Sequence, residues 1–343
     1  MSDIQTLMEQ LYAGKSLSRS QAQALFTPLI AGELSEAAIS ALLVALKIKG
    51  ETVDEISGAA DALLAAAKPF PVSGHGVIDI VGTGGDGYNT INISTTACFV
   101  AAAAGAKVAK HGNRGVSSKS GASDLLSALG IKLTMSPATA ARCLEELGIC
   151  FLFAPHYHGG VRHAVPVRQA LKTRTLFNVL GPLINPSRPD YMLLGVYSPQ
   201  LVRPIAGVLQ ALGVKRAMVV HGAGLDEVAL HGETLVAELK QGHIEEYRLM
   251  PSDFGVAPAT IKELEGGSPA DNAAITQAVL NGQGTIAQRN AVAVNAACAL
   301  YLCGLADDLR SATALALQTL DAGRGAALVQ QLAAGSQLET ANE

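Results

Sequence analysis

Tryptophan is absent from this 343-residue chain and aromatic residues make up only 4% of it, so a core has to be assembled from Ala, Leu, Val and Ile. Hydrophobic residues reach 49%. At this length that suffices for a large core and for two domains, or for one big α/β domain with a smaller one attached. Charge is sparse at 16%, which limits the solvated surface and is in keeping with a buried homo-oligomer interface. No run of Lys and Arg occurs, the net charge is −4 and the pI is about 6.1. The basic face that long nucleic acid requires is therefore missing, although local cations can still hold a small anionic ligand.

Other absences narrow the chemistry. Apolar runs such as "ACFVAAAAGA" are too short to span a bilayer, and the first twenty residues, with Asp3 and Glu9, hold no apolar segment of signal-peptide length. There is no C-x-x-C among Cys98, Cys143, Cys150, Cys298 and Cys303, an odd set that reads as reduced thiols in a cytoplasmic protein. His156, His158 and His163 lie close together but lack a matching Cys or an H-E-x-x-H frame for zinc. No nucleophile elbow, Ser/His/Asp order or reactive-Cys frame appears.

What is present begins with helices. Residues 1 to about 68 carry capping boxes at Ser18/Gln21 and Thr52/Glu55, a cap at Ser35, and glycine stops at Gly32 and Gly50. "KPFPVSGHG" is a connector. From "VIDIV" (77–81) onward, short β-branched runs alternate with Ala-rich helical stretches, which predicts an α/β sheet with helices on its faces. Further strands are expected at "AKVAKHG", "ICFLFAP", "YMLLGVYS" and "RAMVVHG". A hairpin is expected across "ETLVAELKQGHIEEYRL", turning at Gln241 and Gly242, and the chain after "ITQAVL" returns to helix.

Three informative loops follow strands, where open α/β sheets bind ligands. "GTGGDG" after Val81 supplies Gly82, Gly84, Gly85 and Gly87 for close approach of an anion to backbone N–H groups, and the helix beginning near Ser94 adds its free N–H groups. The loop matches neither G-x-G-x-x-G nor a P-loop. Its acid, Asp86, either holds a ribose hydroxyl or orders the loop. "KHGNRGVSSKSG", Lys110 to Gly121, brings Lys110, Arg114, Lys119, Ser117 and Ser118, a set that suits a diphosphate. "GLDEV" places Asp226 beside Glu227, a pair suited to Mg²⁺ if it faces the anion loops. Arg168 and Arg174 either clamp a carboxylate or pair with acids between domains.

With these residues in view, "VGTGGDG", "NIST", "KHGNR", "PVR", "RTLFNVLGPLINP" and "LDE" stand in an order that closely resembles the anthranilate phosphoribosyltransferase family, over nearly the whole chain. The resemblance implies a small helical N-terminal domain plus a larger α/β domain with a central, mostly parallel sheet, similar to some nucleoside phosphorylases. We expect a helical domain over residues 1–70, joined by helices from about 168–190, and a phosphoribosyl-pyrophosphate-binding domain over 71–343. It also implies a cytoplasmic homodimer that transfers the phosphoribosyl group of phosphoribosyl pyrophosphate (PRPP) to the amine of anthranilate in tryptophan biosynthesis, with Mg²⁺ as cofactor. Association with an anthranilate synthase component stays open.

By motif, the resemblance assigns PRPP contacts to Gly82, Gly85, Asp86, Thr90, Asn92, Ile93, Ser94 and Thr95. From the second loop it assigns Lys110, His111, Gly112, Asn113, Arg114, Gly115, Val116, Ser117, Ser118 and Ala122. Gly82, Asn113, His158 and Arg168 become anthranilate contacts, with His111 lining the same channel as the one candidate acid or base. Ser94, Asp226 and Glu227 become Mg²⁺ ligands. Ala122 departs from the Ser many relatives carry, leaving only a backbone N–H there, and "HGGVR" from His158 replaces their "HPAMK". Two rivals are a pyrimidine nucleoside phosphorylase, disfavoured by "KHGNR" and "PVRQAL", and a non-catalytic nucleic-acid binder, disfavoured by the acidic charge and the retained acid pair.

Overall fold

The structure is a computed structural model that describes residues 4–72, 76–115 and 119–338. Four helices open the chain: α1 (Ile4–Tyr12), α2 (Arg19–Ala31), α3 (Glu36–Lys49) and α4 (Val53–Ala65). Their ends follow the expected chemistry. Ser18 and Gln21 close a reciprocal capping box before α2, Ser35 caps α3, and Thr52 and Glu55 close a second box before α4. Glu55 is fully buried, and every demand of its carboxylate is met by Leu17 N–H at 2.9 Å, Thr52 N–H at 2.9 Å and the Lys49 ammonium at 2.8 Å. That one side chain ties the start of α2 to α4.

The rest of the chain alternates strand and helix. In order come β1 (Val77–Gly82), α5 (Ile93–Ala103), β2 (Lys107–Gly112), α6 (Ala122–Ala128), α7 (Pro137–Leu147), β3 (Ile149–Phe153), α8 (Ala154–Tyr157), α9 (Val165–Leu171), α10 (Phe177–Leu183) and β4 (Tyr191–Gly195). Then follow α11 (Val202–Ala211), β5 (Arg216–Gly222), β6 (Thr234–Lys240), β7 (His243–Leu249), α12 (Pro269–Leu280), α13 (Ile286–Leu302), α14 (Leu309–Asp321) and α15 (Arg324–Gln337). The seven strands form one sheet in the order β3-β2-β1-β4-β5-β6-β7. β1 to β5 are parallel, and β6 and β7 add an antiparallel hairpin, so the sheet is mostly parallel as expected. The hairpin turns through Gln241 and Gly242 with φ of 52° and 76°, the left-handed pair that a two-residue turn demands.

Both sheet faces are covered. Leu193, Met218 and Val220 join a core with α5 and α13, while their neighbours Met192, Leu194, Ala217 and Val219 join a second core on the other face. That second core runs through α11 into the N-terminal helices and takes in Val167, Leu176, Phe177 and Leu180. One expectation is adjusted. "KHG" is not loop: β2 runs on through Lys110, His111 and Gly112, so the loop proper starts at Asn113.

Candidate active site

Chain order reverses at β1, which lies between β2 and β4, so the crevice of this sheet opens at the carboxyl ends of β1 and β4. Two glycines, Gly82 and Gly195, end those strands as a cross-strand pair. Asp226 sits against both. A Cβ on Gly82 would fall 2.8 Å from its Cγ and closer still to Oδ2, and one on Gly195 would fall 3.1 Å from its Cα and closer to its carbonyl. The glycines thus form a slot that only backbone can line. Within it, Asp226 Oδ2 accepts the N–H of Gly84 at 2.6 Å, binding the loop after β5 to the glycine-rich loop after β1.

Glu227 continues the link. Its carboxylate accepts Ser94 N–H at 3.2 Å, at the amino end of α5, where a negative charge is favoured, and the Ser94 hydroxyl faces the same group. Burial raises the pKa of both acids, reinforced by Asp86 at Asp226 and by Asp226 at Glu227. Asp86 accepts Tyr88 N–H at 3.0 Å, an Asx turn that shapes the glycine-rich loop. Thr90 bridges to Glu265, while Ile93 and Thr95 are buried in the first turn of α5. The Asn92 amide donates to Ser120 O at 3.0 Å.

Beneath this lies a buried polar layer. Lys110 is 3% exposed and its ammonium donates to Ile80 O at 2.6 Å, below the glycine-rich loop rather than out in the crevice. Asp79, fully buried, has its carboxyl raised to about 6 by burial, opposed by Lys110 and Asn185. It accepts His111 N–H at 3.3 Å and Asn185 Nδ2 at 2.8 Å; Asn185 also donates to Ala109 O at 2.8 Å. His111 Nδ1 lies 3.1 Å from Gly181 O, so Nδ1 carries the proton and Nε2 presents a lone pair, with no hydrogen-bond partner among the described residues. The His158 ring stands edge-on to it, centroids 5.2 Å apart. Burial depresses both imidazoles, His111 to about 3 and His158 to about 4, so both are neutral at pH 7.

Past β2, Asp124 gathers the loop ends. It accepts Gly115 N–H at 2.9 Å and Gly121 N–H at 3.0 Å, and pairs with Arg114 at 3.1 Å. Asn113 Oδ1 accepts Arg114 N–H at 2.8 Å, Gly112 ends β2 and Ala122 opens α6. The expected contacts Val116, Ser117 and Ser118 lie outside the described residues. On the other wall, part-buried Arg168 stands 5.3 Å over the Phe177 ring, has no carboxylate partner among the described residues, and is lowered by burial. Arg174 follows neither expected course. Its guanidinium donates to Gly85 O and stacks 4.0 Å over Tyr197, while its carbonyl accepts Lys47 from α3 at 2.8 Å.

Sequence reasoning missed Asp79, Asp124, Asn185 and Asn295. Asn295, fully buried on α13, pairs with both backbone groups of Val228, at 3.0 and 3.1 Å, and so holds the segment that carries the acid pair. No signal beyond a lone polar residue in an apolar stretch marks it. Among the described residues no group of three or more His, Cys, Asp or Glu could hold a metal ion by itself. The oxygen-only set of Asp226, Glu227 and Ser94 suits a hard cation that takes few protein ligands and completes its shell with water and ligand phosphate. Burial of two adjacent carboxylates, which raises their pKa more than their N–H partners and, at Glu227, Lys110 lower it, fits the same ion.

Family models agree with this architecture. Residues 5–67 match the helical bundle domain and residues 74–327 the a/b domain of a glycosyl transferase family. An anthranilate phosphoribosyltransferase of Shewanella sp. strain W3-18-1 is 70% identical over 335 residues, 96% of each chain. The crystal structure of anthranilate phosphoribosyltransferase from Thermus thermophilus superposes with a TM-score of 0.93 at 41% identity, covering 97% of this chain and 99% of that one. The Saccharomyces cerevisiae enzyme in complex with PRPP and Mg superposes at 0.89 with 26% identity, over 97% and 98% of the two chains. The chain belongs to the anthranilate phosphoribosyltransferase family.

Proposed function

We propose that this protein transfers the phosphoribosyl group of PRPP to the amine of anthranilate, giving N-(5-phosphoribosyl)anthranilate and pyrophosphate. The observation that carries the reading is the Gly82–Gly195 slot, which brings Asp226 and Glu227 against the glycine-rich loop and the amino end of α5. N–H groups of that loop and of the first turn of α5, among them those of Gly85 and Thr95, receive the phosphates, while Gly82, Thr90, Ile93 and Ser94 line the cradle and hold its shape. Asp86 shapes the loop, and Asn113 to Gly115, with Ala122, form the opposite side.

Asp226, Glu227 and Ser94 would hold Mg²⁺, which when bound neutralises pyrophosphate charge and eases its departure. Lys110 balances Asp79 and Glu227 from below. Arg168 meets the anthranilate carboxylate with its paired N–H groups, and Gly82, Asn113 and His158 line the remainder. His111, neutral, offers Nε2 to an amine hydrogen and orients the lone pair. The bond from ribose C1 to the pyrophosphate oxygen breaks as the bond from the amine nitrogen forms, and the amine releases one proton. An aromatic amine has a free lone pair near neutral pH, so positioning and electrostatics carry the step without a strong base.

We extend the proposal to a homodimer seated on the helical surface where Ile4, Tyr12 and Ile48 are exposed. For a helical domain over 1–70 plus helices from 168–190, and an α/β domain over 71–343, the first boundary is supported by the matches over 5–67 and 74–327, and the added helices by the packing of Leu176 and Leu180 with Leu25, Leu42 and Leu63. Five free cysteines, four of them buried, suit a reducing cytoplasm. Parallel incubations test the activity. Anthranilate with PRPP and Mg²⁺ should yield the phosphoribosyl adduct by mass spectrometry, and thymidine with phosphate should yield no thymine. The reverse pattern would assign the site to nucleoside phosphorolysis.

A further inference from the structure

Behind the glycine-rich loop, α12 meets α5 through two polar rungs one helical turn apart. Asn272 Nδ2 donates to Asn92 Oδ1 at 2.8 Å, and four residues on in each helix the hydroxyls of Thr276 and Thr96 meet at 3.0 Å. Asn272 is 1% exposed and its amide is fully directed, because Oδ1 accepts Gly267 N–H at 2.8 Å. That leaves only donors to face Asn92. Asn92 must therefore turn its oxygen to α12 and its nitrogen to Ser120 O, and Ser120 Oγ adds a second donor to the same oxygen at 3.3 Å. The flipped amide would set nitrogen against nitrogen and oxygen against the Ser120 carbonyl.

The segment before α12 reinforces the hold. Ile91 N–H donates to Leu264 O at 2.9 Å and Gly266 N–H to Asn89 O at 2.8 Å. A Cβ on Gly266 would fall 2.6 Å from Thr90 O and 2.7 Å from Asn272 Oδ1, so the two segments touch through backbone. Residues 89–92 and Ser120 belong to the two loops that the proposed function assigns to PRPP, and Asn272 is the buried group that sets their mutual register.

We propose that Asn272 is a positioning residue for the PRPP half of the site, acting through the Asn92 amide rather than by touching substrate. The inference rests on the proposed PRPP-binding reading. Asn272→Asp keeps the acceptor for Gly267 and the side-chain volume but brings no donor to Asn92, and Asn272→Ala removes both. Thr276→Val breaks the neighbouring rung on the same helices and serves as the control for general loosening.

The tests are steady-state kinetics and calorimetric titration of PRPP with Mg²⁺. Both Asn272 variants should raise the PRPP KM and weaken its Kd about tenfold, the weight of one directed buried hydrogen bond. The anthranilate KM should stay within about twofold, and Thr276→Val should leave both KM values within about twofold. If Asn272→Ala fails to fold, Asn272→Asp decides. An unchanged PRPP Kd in Asn272→Asp, equal losses for both substrates, or an equal effect of Thr276→Val would overturn the role. Absence of adduct formation by the wild type would instead count against the transferase reading, while the titration would still judge Asn272.

Discussion

Gly82 is small because Asp226 is beside it: a methyl group there would fall 2.8 Å from the carboxylate carbon of Asp226. The glycine keeps the two strand-end loops at one working distance, and its partner Gly195 does the same for the backbone of Asp226. Gly82→Ala should cost about 1–3 kcal/mol of stability through overpacking. It should cost more in catalysis, about 100-fold in kcat/KM, because a displacement near 1 Å reaches the acid pair. Thermal unfolding and kinetics on one preparation check both, and an active Gly82→Ala enzyme would show the slot to be incidental.

Arg168 has a ring beneath it and no acid beside it among the described residues. Arg168→Ala should raise the anthranilate KM by about 10–100-fold, the loss of a bidentate charged pair, with little change for PRPP. Arg168→Lys should recover only a small part, since a point charge cannot replace the fork. Equal effects on the two substrates would remove Arg168 from the carboxylate role.

Asp226 and Glu227 meet the glycine-rich loop and the amino end of α5, and among the described residues they belong to no group of three or more His, Cys, Asp or Glu that could hold a metal alone. Asp226→Asn and Glu227→Gln should each shift the Mg²⁺ dependence of turnover upward about tenfold or more, the size of a lost charged ligand contact. The KM for anthranilate extrapolated to saturating Mg²⁺ should change least. A Mg²⁺ midpoint identical to wild type would place the cation elsewhere.

His111 and His158 are held neutral by burial, near 3 and 4, against 6.5 for a free imidazole. Below pH 6.5 the unfolded chain takes up protons that the folded chain refuses, so these two groups withdraw stability as pH falls from about 6.5 toward 4. The slope is about 1.4 kcal/mol per pH unit for each histidine. His111→Gln should therefore lose less stability than wild type between pH 6.5 and 4.5 in urea titrations. Equal losses in the two proteins would mean that the His111 ring takes up its proton while still folded.

Much of this was legible beforehand where chemistry is local. The Ser18/Gln21 and Thr52/Glu55 boxes, the Gln241–Gly242 turn and the strand-then-loop placement of "GTGGDG" and "LDE" each rest on neighbours in sequence. Lys110 was misleading because β2 continues two residues beyond it, and strand alternation sends its side chain under the glycine-rich loop. The Gly82–Gly195 slot depends on strand register between distant segments, and Arg174 on a carbonyl and a ring from two more. Asn185, Asn272 and Asn295 are single amides, and only tertiary contact shows that Asn185 ties β1 to β2 beneath the site, Asn272 fixes the Asn92 amide and Asn295 holds Val228 next to the acid pair.

Together the slot, the acid pair and the glycine-rich loop are proposed to form one phosphoribosyl-transfer site. Loss of anthranilate fluorescence, followed with PRPP and Mg²⁺ and repeated with Gly82→Ala, tests it most directly. The wild type should show a continuous decay that needs both PRPP and Mg²⁺ and nearly vanishes in the variant. A wild-type enzyme that leaves the fluorescence constant, or one that consumes anthranilate equally well without PRPP, would contradict it.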